Sequence, residues 1–209
     1  MIIKVCGMRD PENIRKLSQL DINWMGMIFY PQSPRYILKD NNNFQFSILN
    51  SQLKKVGVFV NATLEEMKEA ASQFKLDYLQ LHGNESPDIC YALQKRGYAI
   101  IKVFSVASIE DMEKTKAYEG RADYFLFDTK CNEYGGSGRL FDWSILHTYK
   151  GKTPFLLSGG IQPESIEAIR NFQHPQLAGI DLNSGFETAP AMKDIPLLSS
   201  FIQEIKKIK

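Results

Sequence analysis

The sequence predicts a single α/β domain over residues 1–209, folded as a closed (β/α)8 TIM barrel of parallel strands. Three observations predict it. Eight short runs rich in apolar, β-branched and aromatic residues recur roughly every 25 residues. Segments with helix-capping signals lie between them, which is the pattern of repeated βα units. Several runs are almost continuously apolar instead of alternating, as suits parallel strands covered on both faces.

The runs are IIKVC (2–6), WMGMIF (24–29), KVGVFV (55–60), DYLQLH (77–82), AIIKVF (99–104), DYFLFD (123–128), PFLLS (154–158) and AGIDLN (178–183). After the first, Asp10 is an N-cap ahead of Pro11 at the first helical position. Thr63 with Glu66 forms a capping-box pattern, and Ser86-Pro87 repeats the cap-then-proline signal. Gln162-Pro163 opens another helix, and the segment from Ile195 closes the chain amphipathically. Residues 40–50, with Asn41-Asn42-Asn43, carry only a weak pattern, so the helix after strand two is left uncertain. No internal duplication, long linker or domain boundary interrupts the series.

Composition narrows the partners. Lys and Arg total 25 against 24 Asp and Glu, a net charge of +1, so neither nucleic acid nor an anionic membrane surface is predicted, and a small soluble ligand is. Cys6, Cys90 and Cys131 show no CxxC or Cys/His metal spacing, which predicts reduced thiols in a cytoplasmic protein. The opening MIIKVCGMRD meets charge too early for a secretory signal, and no run of about 18 apolar residues occurs.

In such barrels the reactive groups stand at the C-terminal ends of strands. Cys6 ends strand one before Gly7, and Asp128 ends strand six. Singly, a cysteine there reads as a small buried hydrophobe and an aspartate as a helix cap. Facing one another across a ring, they become a candidate base and acid. Gly159-Gly160 after strand seven and Ser184-Gly185 after strand eight fall where such barrels bind phosphate through backbone N–H groups. Gly136, Ser137 and Gly138, in the glycine-rich loop after strand six, could cover the same ligand. Neither a Walker pattern nor GxGxxG occurs.

Pro31 and Pro34 stiffen the loop after strand two and could hold Arg35 toward the mouth, where its planar fork suits a carboxylate. His82, ending strand four, either lines the pocket or caps a turn. Asp181, an acid inside a buried run, is either a pocket group or a structural hydrogen-bond hub. His147 and His174 are read as surface residues. Lys4 is read as facing the opposite side of strand one from the thiol, which leaves Cys6 without an evident cation.

KVCG, FYPQSPRYI, VGVFVN, LQLHGNE, LFDTK with GGSGRLFDW, LSGGIQP and GIDLNSGFE followed by Lys193-Asp194 together resemble the phosphoribosylanthranilate isomerase family of tryptophan biosynthesis. The resemblance spans residues 4–194. It implies a (β/α)8 fold and an Amadori rearrangement of N-(5-phosphoribosyl)anthranilate to 1-(2-carboxyphenylamino)-1-deoxyribulose 5-phosphate, with no cofactor or metal. It also implies Cys6 as general base, Asp128 as general acid, Arg35 as the contact for the anthranilate carboxylate, and the glycine loops as the phosphate site. A monomer or a homodimer fits equally. Two departures, Asn183 in place of the common serine and Ala191-Met192 in place of Pro-Gly, fall in the strand-eight loop and the turn after it.

The chemistry asks for these residue types. Ring opening needs a proton on the furanose oxygen, and removing the C2 proton of the resulting Schiff base needs a base. An unperturbed aspartate titrates at about 4 and a thiol at about 8.5, so work near neutrality requires the first raised and the second lowered. A second enzyme reading is another phosphate-binding barrel such as indole-glycerol-phosphate synthase. That reaction wants a lysine and glutamates at strand ends, whereas Lys102 stands mid-strand without such company. A third is a non-catalytic barrel that binds a phosphosugar.

Overall fold

The computed structural model describes residues 1–39, 53–129 and 143–207. The expected strands are β1 (Ile2–Val5), β2 (Trp24–Ile28), β3 (Lys54–Phe59), β4 (Tyr78–Leu81), β5 (Ala99–Val106), β6 (Tyr124–Thr129), β7 (Phe155–Ser158) and β8 (Leu177–Leu182). They pair in parallel and in chain order, and β1 closes on β8 with Ile3 opposite Ile180 and Lys4 opposite Asp181. Cys6 lies just past β1, but its N–H still donates to Leu182 O at 2.8 Å, so the ladder carries the thiol to the mouth.

The capping signals form where expected. Asp10 accepts from Asn13 N ahead of α1 (Pro11–Leu17), and Thr63 and Glu66 form a reciprocal capping box on α2 (Leu64–Phe74). Ser86 caps α3 (Pro87–Gln94). The connection after β5 is only a short α4 (Ile109–Glu113) running into a 3-10 turn, Lys114–Tyr118. After β6, the described part is a 3-10 helix, Trp143–Thr148. Gln162-Pro163 starts one 3-10 turn before α5 (Ile166–Asn171) instead of a helix at once. A two-stranded antiparallel hairpin that the sequence did not predict, β9 (Glu187–Ala189) with β10 (Met192–Lys193), precedes α6 (Ile195–Lys206). The uncertain helix after β2, Cys131 and the loop residues Gly136, Ser137 and Gly138 lie outside the described residues.

Side-chain alternation builds two cores. Ile3, Val5, Leu79, Phe104 and Phe127 point outward under the helices, while Trp24, Val56, Ile101, Val103, Leu126 and Leu156 fill the barrel. Trp24, Tyr78 and Tyr124 each open their strand, and their rings close its N-terminal end: Trp24 is 4.5 Å from Tyr78 and 5.1 Å from Tyr124 between centroids. These packed rings seal the N-terminal end as a floor and leave the C-terminal end for chemistry.

Among the described residues no helix is long and apolar enough to cross a membrane. His147 is exposed as expected, but His174 is half-buried. Its ring centroid lies 5.0 Å from Phe155 and 5.9 Å from Tyr149, because the turn before β8 folds it onto the outer core.

Candidate functional site

A cavity of about 360 Å³ opens at the C-terminal end of the barrel. Cys6, His82, Asp128, Gly159, Gly160 and Ser184, singled out at or just beyond strand ends, all line it, and so does Asp181, singled out as an acid inside a buried run. Arg35 and Gly185 do not, although both stand against its rim.

Cys6 is only 4% exposed, and burial pushes its thiol up from the ordinary value, while the nearby Lys4 ammonium pulls it down and the Asp181 carboxylate pushes it up. The resting site therefore does not supply the lowered thiol that the chemistry asked for. Gly26 of β2 makes room for the sulfur: a Cβ there would lie 2.7 Å from Cys6 Sγ. A glycine inside the apolar run WMGMI was the sequence signal for such a close approach.

The expectation that Lys4 faces away from Cys6 is overturned. Residues two apart on a strand share a face, so Lys4 points into the barrel on the same face of β1 as the thiol and nearer its N-terminal end. It is fully buried, and its Nζ donates to Oδ1 and Oδ2 of Asp181, each at 2.9 Å. Burial would pull the ammonium down, but the charges of Asp181 and Cys6 outweigh it and hold it above its ordinary value. Asp181 is thus both of the things expected of it, since it lines the cavity and anchors a buried pair.

Across the cavity, His82 Nε2 lies 3.4 Å from Asp128 Oδ2, with both side chains about one-third exposed. This makes His82 a neighbour of the candidate acid as well as a lining residue.

Arg35 is held by an acid of its own chain. Its Nε lies 3.0 Å from both oxygens of Glu187, and its Nη2 lies 2.6 Å from Oε2. Lys193 Nζ, fully buried, donates to Glu187 Oε1 at 2.5 Å and to Asn183 Oδ1 at 2.8 Å. Burial alone would raise the Glu187 carboxyl, but hydrogen bonds from Arg35 and Lys193 hold it below the usual range. Burial lowers the Lys193 ammonium against the pull of Glu187. The Nε edge of Arg35 is therefore occupied, and the Nη1–Nη2 edge is the one that remains for a ligand carboxylate. Gly7, at φ +78, lets the stem pass: a Cβ there would meet Arg35 Cδ at 2.7 Å. Glu187 and Lys193 carried no sequence assignment beyond the family resemblance, because nothing local marks a hairpin residue as the partner of a loop some 150 positions away.

Gly159 and Gly160 both have positive φ, +81 and +65, at the end of β7. Gly185 brings the next loop against this one, since a Cβ there would fall 2.3 Å from Ile161 O. The two glycine loops thus form one continuous rim beside Ser184.

Lys102 does have acidic company. Its Nζ lies 2.9 Å from Glu85 Oε2 and also donates to the carbonyls of Leu81 and Gly83. It points out of the barrel toward Tyr118, however, so this pair braces the loop after β4 and does not face the cavity.

The match to known proteins agrees with this geometry. The family model described as N-(5'-phosphoribosyl)anthranilate (PRA) isomerase matches residues 3–204. An N-(5'-phosphoribosyl)anthranilate isomerase of Parabacteroides distasonis is 65% identical over 207 residues, covering 98% of this chain and 93% of the relative. The crystal structure of phosphoribosyl anthranilate isomerase from Thermotoga maritima superposes with a TM-score of 0.86 at 33% identity, covering 99% of this chain and 100% of that one. A crystal structure of the same kind of enzyme in complex with reduced 1-(o-carboxyphenylamino)-1-deoxyribulose 5-phosphate gives 0.82 at 29% identity, with the same coverage. With its closed barrel and nearly all of its length matched, the chain belongs to the N-(5'-phosphoribosyl)anthranilate isomerase family.

Proposed function

We propose that this chain catalyses the Amadori rearrangement of N-(5'-phosphoribosyl)anthranilate to 1-(2-carboxyphenylamino)-1-deoxyribulose 5-phosphate in tryptophan biosynthesis, with Cys6 as general base and Asp128 as general acid. The observation that carries the assignment of roles is that both side chains line one cavity whose rim is built from the paired glycine loops.

The steps follow from the groups available. Asp128 donates a proton to the furanose oxygen as the C1–O bond breaks, and the anilino nitrogen supplies the electron pair that forms the Schiff base. Cys6, as thiolate, removes the proton on C2, and the electrons move to give an enolamine. The C2 hydroxyl then gives up its proton as a carbonyl forms and C1 gains one, so atoms balance without an external oxidant. Arg35 binds the anthranilate carboxylate through its Nη1–Nη2 edge. Gly159, Gly160, Ser184 and Gly185, with Gly136, Ser137 and Gly138 from the loop after β6, take the phosphate. His82, with Nε2 3.4 Å from Asp128 Oδ2, is the neighbour of the acid, and Asp181 lines the same cavity.

Residues 1–209 serve as one barrel domain in this reading. All the groups named come from one chain, so the chemistry is complete in a monomer and equally in each half of a homodimer. The unpaired thiols of Cys6 and Cys90 support a reducing, cytoplasmic setting.

The test follows anthranilate fluorescence as freshly generated substrate is consumed. Wild type is expected to turn over, while Cys6→Ser and Asp128→Asn lose turnover and still bind the reduced product analogue. Unchanged turnover in either variant removes that residue's role; an inert wild type that binds the analogue removes the activity.

A further inference from the structure

We propose that Lys4 is the positioning residue that keeps Cys6 ionised during turnover, its ammonium fixed below the sulfur on the same strand face by the two oxygens of Asp181. This rests on the reading of Cys6 as the base.

The pair needs a reason to exist. The barrel interior around it is otherwise lined by Val56, Ile101, Leu126 and Leu156, and a buried ion pair is commonly no more stabilising than apolar residues of similar size. Evolution of a simple plug would not need a lysine there. Its hydrogen bonds show what is left over. An ammonium has three N–H donors. Two go to Asp181, and among the described residues no oxygen accepts the third. Cys6, on the same strand face, is the group with which that ammonium also interacts.

The surroundings of the thiol explain why this cation matters. From the loop after β2 comes Arg35 and from β10 Lys193, both held on Glu187 of β9. From β8 comes Asp181, and across the cavity stand Asp128 and His82. Gly26 of β2 contributes no charge. The substrate adds a carboxylate and a phosphate, both of which oppose a thiolate. Arg35 spends its free edge on that carboxylate. Lys4 is fully buried and does not line the cavity, so neither substrate anion reaches it and its charge stays available to the sulfur. When the thiol proton leaves to water in the open cavity, the third N–H becomes a charge-assisted bond to the sulfur.

The experiment compares wild type with Lys4→Met. Iodoacetamide labelling of Cys6, resolved by peptide mass spectrometry from pH 6 to 10, reads the thiolate without substrate, and the pH profile of kcat reads it in turnover. Melting temperature and binding of the reduced product analogue report folding. Loss of a neighbouring cation is expected to move both midpoints upward by about one unit or more. Turnover should then recover as pH rises, while KM stays within about threefold because Lys4 does not line the site. If Lys4→Met does not fold, Lys4→Met/Asp181→Asn, which removes both charges, is expected to show a smaller upward shift. Unmoved midpoints in a folded variant overturn the proposal. A shifted labelling curve alongside full turnover in Cys6→Ser would separate the two claims: Lys4 would still hold the thiolate, and the base role of Cys6 would fall.

Discussion

Replacing Gly26 by alanine tests the placement of the thiol without removing any functional group. The new Cβ would sit 2.7 Å from Cys6 Sγ and 3.1 Å from Cys6 Cα. Non-bonded heavy atoms rest at about 3.5–4.0 Å, so the sulfur must retreat by about 1 Å. The backbone cannot absorb the whole of this, because Met8 N–H donates to Gly26 O at 3.0 Å and Cys6 N–H to Leu182 O at 2.8 Å, which tie both flanks of the thiol. A displacement of about 1 Å at a reacting atom costs roughly a hundredfold in rate, or about 2.7 kcal/mol of barrier. Overpacking also costs about 1–3 kcal/mol of stability, so kcat is to be measured at saturating substrate well below the melting transition. Gly26 belongs to neither the proposed carboxylate site nor the proposed phosphate site, so KM should hold within about threefold. A folded Gly26→Ala enzyme with kcat within about threefold of wild type would refute the idea that the position of Sγ limits the reaction.

Three further outcomes follow from ionic and hydrogen-bonded groups. Glu187→Gln leaves the fully buried Lys193 without its charged partner and should cost about 3 kcal/mol in urea unfolding, with a raised KM as Arg35 loses its brace; an unchanged KM would separate that brace from substrate binding. Glu85→Ala strips Lys102 of its 2.9 Å partner and also frees the N–H groups of Asn61 and Gly83, so roughly 3–5 kcal/mol should be lost, and a change below about 1 kcal/mol would show that water replaces the carboxylate. His174 donates from Nε2 to Tyr149 O at 3.2 Å and accepts Gln176 N–H on Nδ1 at 3.0 Å, a neutral tautomer assigned from these partners. Burial holds this imidazole below its ordinary value, so the unfolded chain takes up its proton first. Its contribution is therefore complete above about pH 6.5 and is lost as pH falls from there through the lower folded value, by under about 1 kcal/mol for one half-exposed group. His174→Gln should flatten that part of the melting-temperature profile, and an identical slope would remove the assignment.

The strand-end residues were legible because position on a βα unit is a local property. Once the eight runs are placed, Cys6, His82, Asp128, Gly159 and Ser184 fall at the mouth by counting. Lys4 was equally readable by the same two-residue period, and it was misassigned only because its face was misjudged. Glu187, Lys193 and the hairpin that carries them were not readable in this way. Their partners stand on a different βα unit, and Ala191 at φ +68 makes the connecting turn without the glycine or asparagine that normally announces one. The orientation of Arg35 was invisible for the same reason: a sequence shows a guanidinium but not which of its edges is already taken.

The contacts that assemble the mouth also join the two ends of the chain. Lys4 meets Asp181 across 177 positions, and Asn13 exchanges two 2.9 Å hydrogen bonds with the backbone of Lys193 across 180. Such distant pairings form late in folding, because loop-closure entropy must be met before they are rewarded. Cys6 stands at the end of the first strand of the ring, whereas Asp181 and Lys193, the groups that set its surroundings, stand on the eighth strand and on the hairpin after it. Until the ring shuts, Cys6 stands without its electrostatic setting, so the mouth is assembled in one closing event and not by increments along the strands.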